Sequence, residues 1–333
     1  MDIASHALAS FALARGFFPR RRWPVVLGIL CAGILADVDL LSSLFGPAAY
    51  FAAHRTFTHS LLGLVVTIVL SVLLVRYLSK KQPESLSNFL APLAVAGAVH
   101  LLLDLLQSEG VALLWPFSSA RFAANWLPAV DPWILAILIV GICLPELFRL
   151  ITSEIGVKDK TPRGRNGAVI ALAIIVLYIG ARAYLHSDAV AMLDPHSYAG
   201  ESARRVGAFP DALSILTWHG VVETQSLLCV VEVPAGPGRN FDPEMADCLH
   251  KPESSPELDA AQKTDVAREY VRTMPFPRAA VARTSDGYEV VIRSMRDSAE
   301  HESHHRVAAR ILLDPRFGII SEDFVWLTEL HLR

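Results

Sequence analysis

The chain has 333 residues, 53% of them hydrophobic and only 19% charged, with a mean hydropathy of +0.39. These values exclude an ordinary soluble domain and a disordered chain, and they place the sequence in the membrane class. A net charge of −3 says little about partners, and no basic block is large enough to argue for nucleic acid, so none is expected.

Six apolar segments follow in order: residues 3–18, 23–45, 59–78, 89–106, 132–150 and 167–185. Most approach the ~20 residues that cross ~30 Å of hydrocarbon. The first is short and carries Arg15, so it is expected to cross tilted, to re-enter or to pack against the others. It also lacks the basic, apolar, small-residue order of a cleaved leader and is expected to stay. Basic residues sort the connections. Arg20, Arg21 and Arg22 precede the second segment, Arg76, Lys80 and Lys81 follow the third, and Arg149, Lys158, Lys160, Arg163 and Arg165 flank the fifth-to-sixth connection. The alternate connections hold only Arg55 and Arg121. By the positive-inside rule the basic connections are cytoplasmic, and everything beyond about residue 186 lies outside.

Beyond residue 185 charged residues, Pro and Gly become common and no run is long enough to span. Residues 213–221 and 227–233 are expected to form a β-hairpin, with further strands at 288–295, 307–313 and 318–326. A helix is expected over 257–274 and a loop over 234–256. Cys229 and Cys248 lie here and can pair only in an oxidising compartment; Cys31 and Cys143 lie in apolar runs as small core residues. His301-Glu302-Ser303-His304-His305 matches His-Glu-x-x-His, but it joins two strand-like runs and reads as a polar loop rather than a zinc helix. The fold class is therefore a multipass α-helical membrane domain over 1–185, with five or six transmembrane helices. A small, β-rich α+β extracytoplasmic domain over 186–333 follows it.

Ionisable residues inside the apolar segments carry the functional signal. An acidic side chain at the centre of a spanning helix costs at least ~2.5–3.5 kcal/mol, so it usually marks a site. His100 and Asp104 stand four residues apart, on one face of a helix. Asp37 and Asp39, His59 and His100 with Asp104 all fall in the outer halves of their segments under the orientation above, as does His6 if the first segment crosses, and Asp131 starts the fifth segment on that side. His nitrogen and carboxylate oxygen are ligands of a hydrolytic metal, most simply zinc. His6, one of Asp37 or Asp39, His59, His100 and Asp104 suffice for one divalent ion or two. His54 and Arg55 are placed at the mouth, where Arg clamps an anionic oxygen. Asp104, or whichever of Asp37 and Asp39 does not ligate, is a candidate to orient a water. The bland alternatives are interhelical hydrogen bonds for the aspartates, a satisfied core role for each histidine, and a surface loop for His54, Arg55 and His59.

Residues 1–150 resemble a family of bacterial inner-membrane, metal-dependent hydrolases described as LexA-binding and membrane-associated. The resemblance rests on Ser5-His6-Ala7, Ala36-Asp37-Val38-Asp39 and His54-Arg55-Thr56-Phe57-Thr58-His59-Ser60. It continues through His100-Leu101-Leu102-Leu103-Asp104, Gly110, Trp115-Pro116-Phe117-Ser118 and Asp131-Pro132. That family is in turn distantly similar to helical zinc-dependent phospholipases C and single-strand nucleases, whose last ligand motif is not evident in the fifth or sixth segment. The resemblance implies a metal-activated water and a phosphoester substrate, and an outward-facing site implies a lipid or lipid-linked one. A non-catalytic metal-binding regulator or scaffold is the rival reading. A transporter fits less well, because the polar residues gather on one side rather than at a midplane between repeats.

Overall fold

The computed structural model describes residues 1–18, 22–81, 85–154, 164–299 and 306–327. Arg20, Arg21, Lys158, Lys160, Arg163 and the His301–His305 motif lie outside the described residues. The chain divides into two compact units: Met1–Asp39 with Arg55–Ala183, and Leu40–His54 with Tyr184–Arg333.

The first unit is helical. It comprises α1 (Ile3–Phe17), α2 (Trp23–Ile34), which runs on as a 3-10 helix over Leu35–Phe45 that passes into the second unit at Leu40, and, after α3 (Pro47–Ala53) of the second unit, α4 (Leu61–Leu78). Then come α5 (Leu86–Leu105), α6 (Pro132–Glu154) and α7 (Arg165–Leu193). Trp23–Phe45, Leu61–Leu78, Leu86–Leu105 and Arg165–Leu193 are long and apolar enough to cross a membrane. Pro132–Phe148 is a shorter apolar helix. The membrane pattern is clearest on α4. Its buried residues are Gly63, Thr67, Ser71 and Val75, a stripe at four-residue spacing that lets helices approach closely. Leu62, Val65, Val66, Val69 and Leu73 on its other faces are exposed, as suits a helix whose solvent is lipid.

Local chemistry fixes the helix starts. The Asp2 carboxylate accepts from the Ser5 N–H at 2.9 Å, and the Ser60 hydroxyl accepts from the Gly63 N–H at 3.0 Å, each satisfying an N-terminal orphan donor. Asp131 caps α6 by accepting from the N–H groups of Trp133 and Ile134, both at 3.0 Å. Its other oxygen accepts from the Tyr178 hydroxyl at 2.9 Å. Asp131 thus has a structural role. Arg15 pairs with Glu146 on α6, which gives the charge in the short first helix a partner inside the bundle.

In the second unit the end of α7 leads into a small β1–β2 pair (Ser197–Tyr198, Glu201–Ser202). An antiparallel sheet follows in the order β3 (Arg205–Pro210), β4 (Thr217–Glu223), β5 (Leu227–Pro234), β6 (Asp247–His250). A second antiparallel sheet is ordered β10 (Ile319–Trp326), β9 (Val307–Leu313), β8 (Gly287–Ser294), β7 (Pro277–Thr284). The expected helix over 257–274 is instead two, α8 (Pro256–Ala261) and α9 (Asp265–Thr273). The break falls where the Thr264 hydroxyl donates to the Ala261 carbonyl at 2.8 Å and accepts from the Ala267 N–H at 3.2 Å, starting a new helix. The expected strand over 213–221 starts only at Thr217, because Asp211 holds a turn through the N–H groups of Leu213 and Ser214. The expected loop over 234–256 contains β6, whose Cys248 faces Cys229 of β5 and is bonded to it.

One element has no counterpart in the sequence reading. Residues 40–54, expected as the end of one membrane segment and a connection, belong to the second unit. There α3 buries Tyr50 and Phe51 in a core with Leu258, Tyr270, Ile292 and Ile311. Phe51 stacks on Phe324 at 4.3 Å.

Candidate metal centre

Within the first unit, α1, the 3-10 run after α2, the turn before α4 and the C-terminal end of α5 converge. They bring His6, Asp37, His59, His100 and Asp104 together, all nearly or fully buried. His6, Asp37, His100 and Asp104 each offer one ligand atom within 4.8 Å of the others. His59 adds a further donor at closer spacing. Its Nε2 is 3.2 Å from His100 Nε2 and 3.1 Å from Asp104 Oδ2. His100 Nε2 is also 3.1 Å from Asp104 Oδ2. Asp37 Oδ1 lies 3.6 Å from His59 Nε2 and 3.7 Å from His100 Nε2.

These separations can be set against a coordination polyhedron. Ligand arms of ~2.0–2.1 Å in a tetrahedron give edges of about 3.3 Å. Five of the six separations among His59, His100, Asp104 and Asp37 run from 3.1 to 3.7 Å and bracket that value, so this donor set fits zinc in both spacing and chemistry. His6 Nε2 stands 3.3 Å from Asp104 Oδ1, and its ring lies 3.9 Å from that of His100, a position for a further ligand.

The outward nitrogens explain why the inner ones converge. His100 Nδ1 sits 2.8 Å from the Gly33 carbonyl. A carbonyl can only accept, so that nitrogen carries the proton and Nε2 presents its lone pair inward. His59 Nδ1 lies 3.0 Å from Asp39 Oδ2, which fixes the same tautomer by a carboxylate. Asp39 is itself held by the Arg55 N–H and the Thr58 hydroxyl, each donating at 2.8 Å. This separates the two aspartates that the sequence left interchangeable: Asp37 faces the centre, and Asp39 orients a histidine. Asp37 Oδ2, His6 Nδ1 and Asp104 Oδ2 are buried without a hydrogen-bond partner among the described residues, a costly state for a dry site and one that a cation relieves.

Arg55 sits at this centre with a left-handed backbone, φ 56°. Its guanidinium donates to Asp104 Oδ1 at 3.2 Å and to Gln107 Oε1 at 2.5 Å, and its Nε is 3.3 Å from Glu109. The Met1 amino group also meets Asp104 and, at 2.8 Å, Gln107. His54 falls in the second unit, where its ring stacks on Tyr50 at 4.6 Å. The sequence reading missed Gln107, Thr58 and the Gly33 carbonyl. Gln107 was within reach of pattern reasoning, since it stands three residues after Asp104, just past the end of α5. A backbone carbonyl leaves no such signal.

Comparison with known proteins places the chain among membrane proteins. A family model described as YdjM inner membrane protein matches residues 1–189. The uncharacterized protein YfhP of Bacillus subtilis is 27% identical over 135 residues, 40% of this chain and 40% of that protein. The inner membrane protein YbcI of Escherichia coli is 34% identical over 129 residues, 37% of this chain and 72% of that protein. The inner membrane protein YdjM of Escherichia coli is 36% identical over 107 residues, 28% of this chain and 50% of that protein. The chain thus spans about half the length or less of two of these three relatives. No solved structure matches.

Proposed function

Because the chain belongs to the YdjM inner membrane protein family, we propose that it is a membrane-embedded, metal-dependent hydrolase. Its substrate is a phosphoester carried on a lipid or lipid-linked molecule, met at the outer leaflet. The observation that carries this reading is the mutual 3.1–3.2 Å spacing of His59 Nε2, His100 Nε2 and Asp104 Oδ2. Both imidazoles are locked from behind by Asp39 and the Gly33 carbonyl.

His59, His100, Asp104 and Asp37 would hold one divalent ion, zinc by ligand type, with His6 available to complete it or to share a second. When bound, such an ion lowers the pKa of its water to about 7 and polarises a phosphoryl oxygen. Arg55, steadied by Gln107 and Glu109, presents a planar fork suited to the non-bridging oxygens of a phosphoester. Asp39 keeps His59 in the tautomer that ligates. Two further features support an outer site. Arg22, Arg76, Lys80 and Lys81 stand at the helix ends opposite to it, and the Cys229–Cys248 disulfide suits an extracytoplasmic second unit.

The test is metal content followed by turnover. The intact protein, purified in detergent, is assayed for bound metal and for hydrolysis of phosphomonoesters, phosphodiesters and phospholipids, alongside His100→Ala. The expected result is stoichiometric metal and an activity that chelator and His100→Ala both abolish. Metal that survives loss of His59, His100 and Asp104 overturns the site. Metal that depends on them, with no ester hydrolysed, leaves a metal-binding regulator or scaffold instead.

A further inference from the structure

Between the two sheets of the second unit runs a groove of about 560 Å³, within the range of small-ligand sites and far too small for a folded partner. Its walls come from the edge strand β7, the β5–β6 end of the other sheet, and helices α8 and α9. Leu228, Leu258 and Ile292 are buried in its floor, and Val271 stands exposed at its rim. Four cations line it, Lys251, Arg268, Arg272 and Arg278, against a single carboxylate, Glu223.

Three of those cations have local partners. Lys251 Nζ meets Glu223 at 2.9 Å, Arg268 meets Asp265 at 2.5 Å, and Arg272 pairs with Glu269. Arg278 is different. Its Nη2 makes a long contact of 3.4 Å to the His250 carbonyl, and its Nε has no hydrogen-bond partner among the described residues. It also stands directly across the β7–β8 ladder from Arg293, a like-charge pairing that costs stability. Burial, and then the Arg293 charge, push the Arg278 pKa down. A half-buried arginine facing another arginine beside an apolar floor is an arrangement that a bound anion completes.

We propose that this groove binds an anionic lipid, with an acyl chain along the Leu228–Leu258–Ile292 floor and the head-group phosphate at Arg278. Charge complementarity selects the head and the apolar floor selects the tail. An inner-membrane protein has such lipids at hand. The groove is separate from the metal centre and needs no activity there.

The experiment uses the intact detergent-solubilised protein in the presence of chelator, so that hydrolysis does not interfere. Native mass spectrometry follows binding of lauroyl lysophosphatidylglycerol, its phosphocholine counterpart, glycerol phosphate and an acidic peptide. The expected result is at least about tenfold preference for the anionic lipid over the phosphocholine one, a preference that Arg278→Gln removes. Val271→Glu, at an exposed position that folding tolerates, weakens both lipids. Anionic-lipid binding unchanged in both variants overturns the proposal. So does glycerol phosphate binding as tightly as the lipid, or the peptide displacing it. Because Arg278→Gln relieves a like-charge pair, its thermal midpoint is expected not to fall, which separates lost binding from lost fold.

Discussion

His59 has Asp39 behind it and Asp104, Asp37 and His100 in front of it, and the order of those contacts decides what each residue does. A carboxylate on the far nitrogen raises a ligand's basicity and fixes its ring, and its loss typically weakens metal binding 10- to 100-fold. Asp39→Asn is therefore expected to weaken zinc binding within that range, while Asp104→Ala removes it. A competitive metal titration of the two variants checks the ranking, and equal losses would make Asp39 a ligand rather than an orienting group. A second residue-scale prediction lies in the other unit. Hydrogen bonds from Ser226 and Thr224 hold the Glu201 carboxyl down to about 2, against a usual value of 4.5. A carboxylate with a depressed pKa adds stability above its unfolded value and loses it as pH falls toward its folded one. The second unit is thus expected to lose stability between about pH 4.5 and pH 2, and Glu201→Gln to flatten that part of the curve in an acid-unfolding series.

At the level of elements, the site depends on how tightly the turn carrying His59 lies on α4. Gly63 donates to the Ser60 cap, and a Cβ at position 63 would run into the backbone carbonyls of Phe57 and Thr58. Backbone cannot swing aside as a side-chain tip can, so Gly63→Ala is expected to cost about 1–3 kcal/mol and to displace His59. Reduced metal occupancy with a lowered melting point is the outcome to measure; full occupancy would show that the turn adapts. The change from α-helix to 3-10 helix at Leu35 has a related effect. It alters the angular spacing, so that Asp37 faces the centre and Asp39 reaches the back of His59. A regular helix drawn from sequence could not distinguish them. Such a tightening inside a long apolar segment often marks function.

The whole molecule is organised by one excursion of the chain. Leu40–His54 leaves the helical unit and completes the core of the second, and the contact from Asp39 to the Arg55 N–H closes its base. Truncating a buried core aromatic costs about 3–5 kcal/mol. Phe51→Ala is accordingly expected to destabilise the second unit by that order, seen as faster proteolysis beyond residue 184 in the intact protein. Reducing Cys229–Cys248, which closes a 19-residue separation, is expected to cost about 3 kcal/mol in the same assay. If Phe51→Ala left protease resistance unchanged, α3 would be a passive passenger.

Sequence alone determined the membrane class, most of the apolar segments and the candidates for the cluster. Hydropathy runs are local and long, and an ionisable residue in hydrocarbon is costly, so His6, Asp37, Asp39, His59, His100 and Asp104 stand out as candidates before any fold is known. It also supplied five of the ten described strands, β4, β5, β8, β9 and β10, through alternation and turn residues. Tertiary structure decided what depends on contacts distant in sequence. It showed which aspartate faces the centre and that the Gly33 carbonyl sets the tautomer of His100. It also showed that a short apolar helix in an apparent loop fills another unit's core. Spacing along the chain reports which residues share a face, but only packing reports what that face meets.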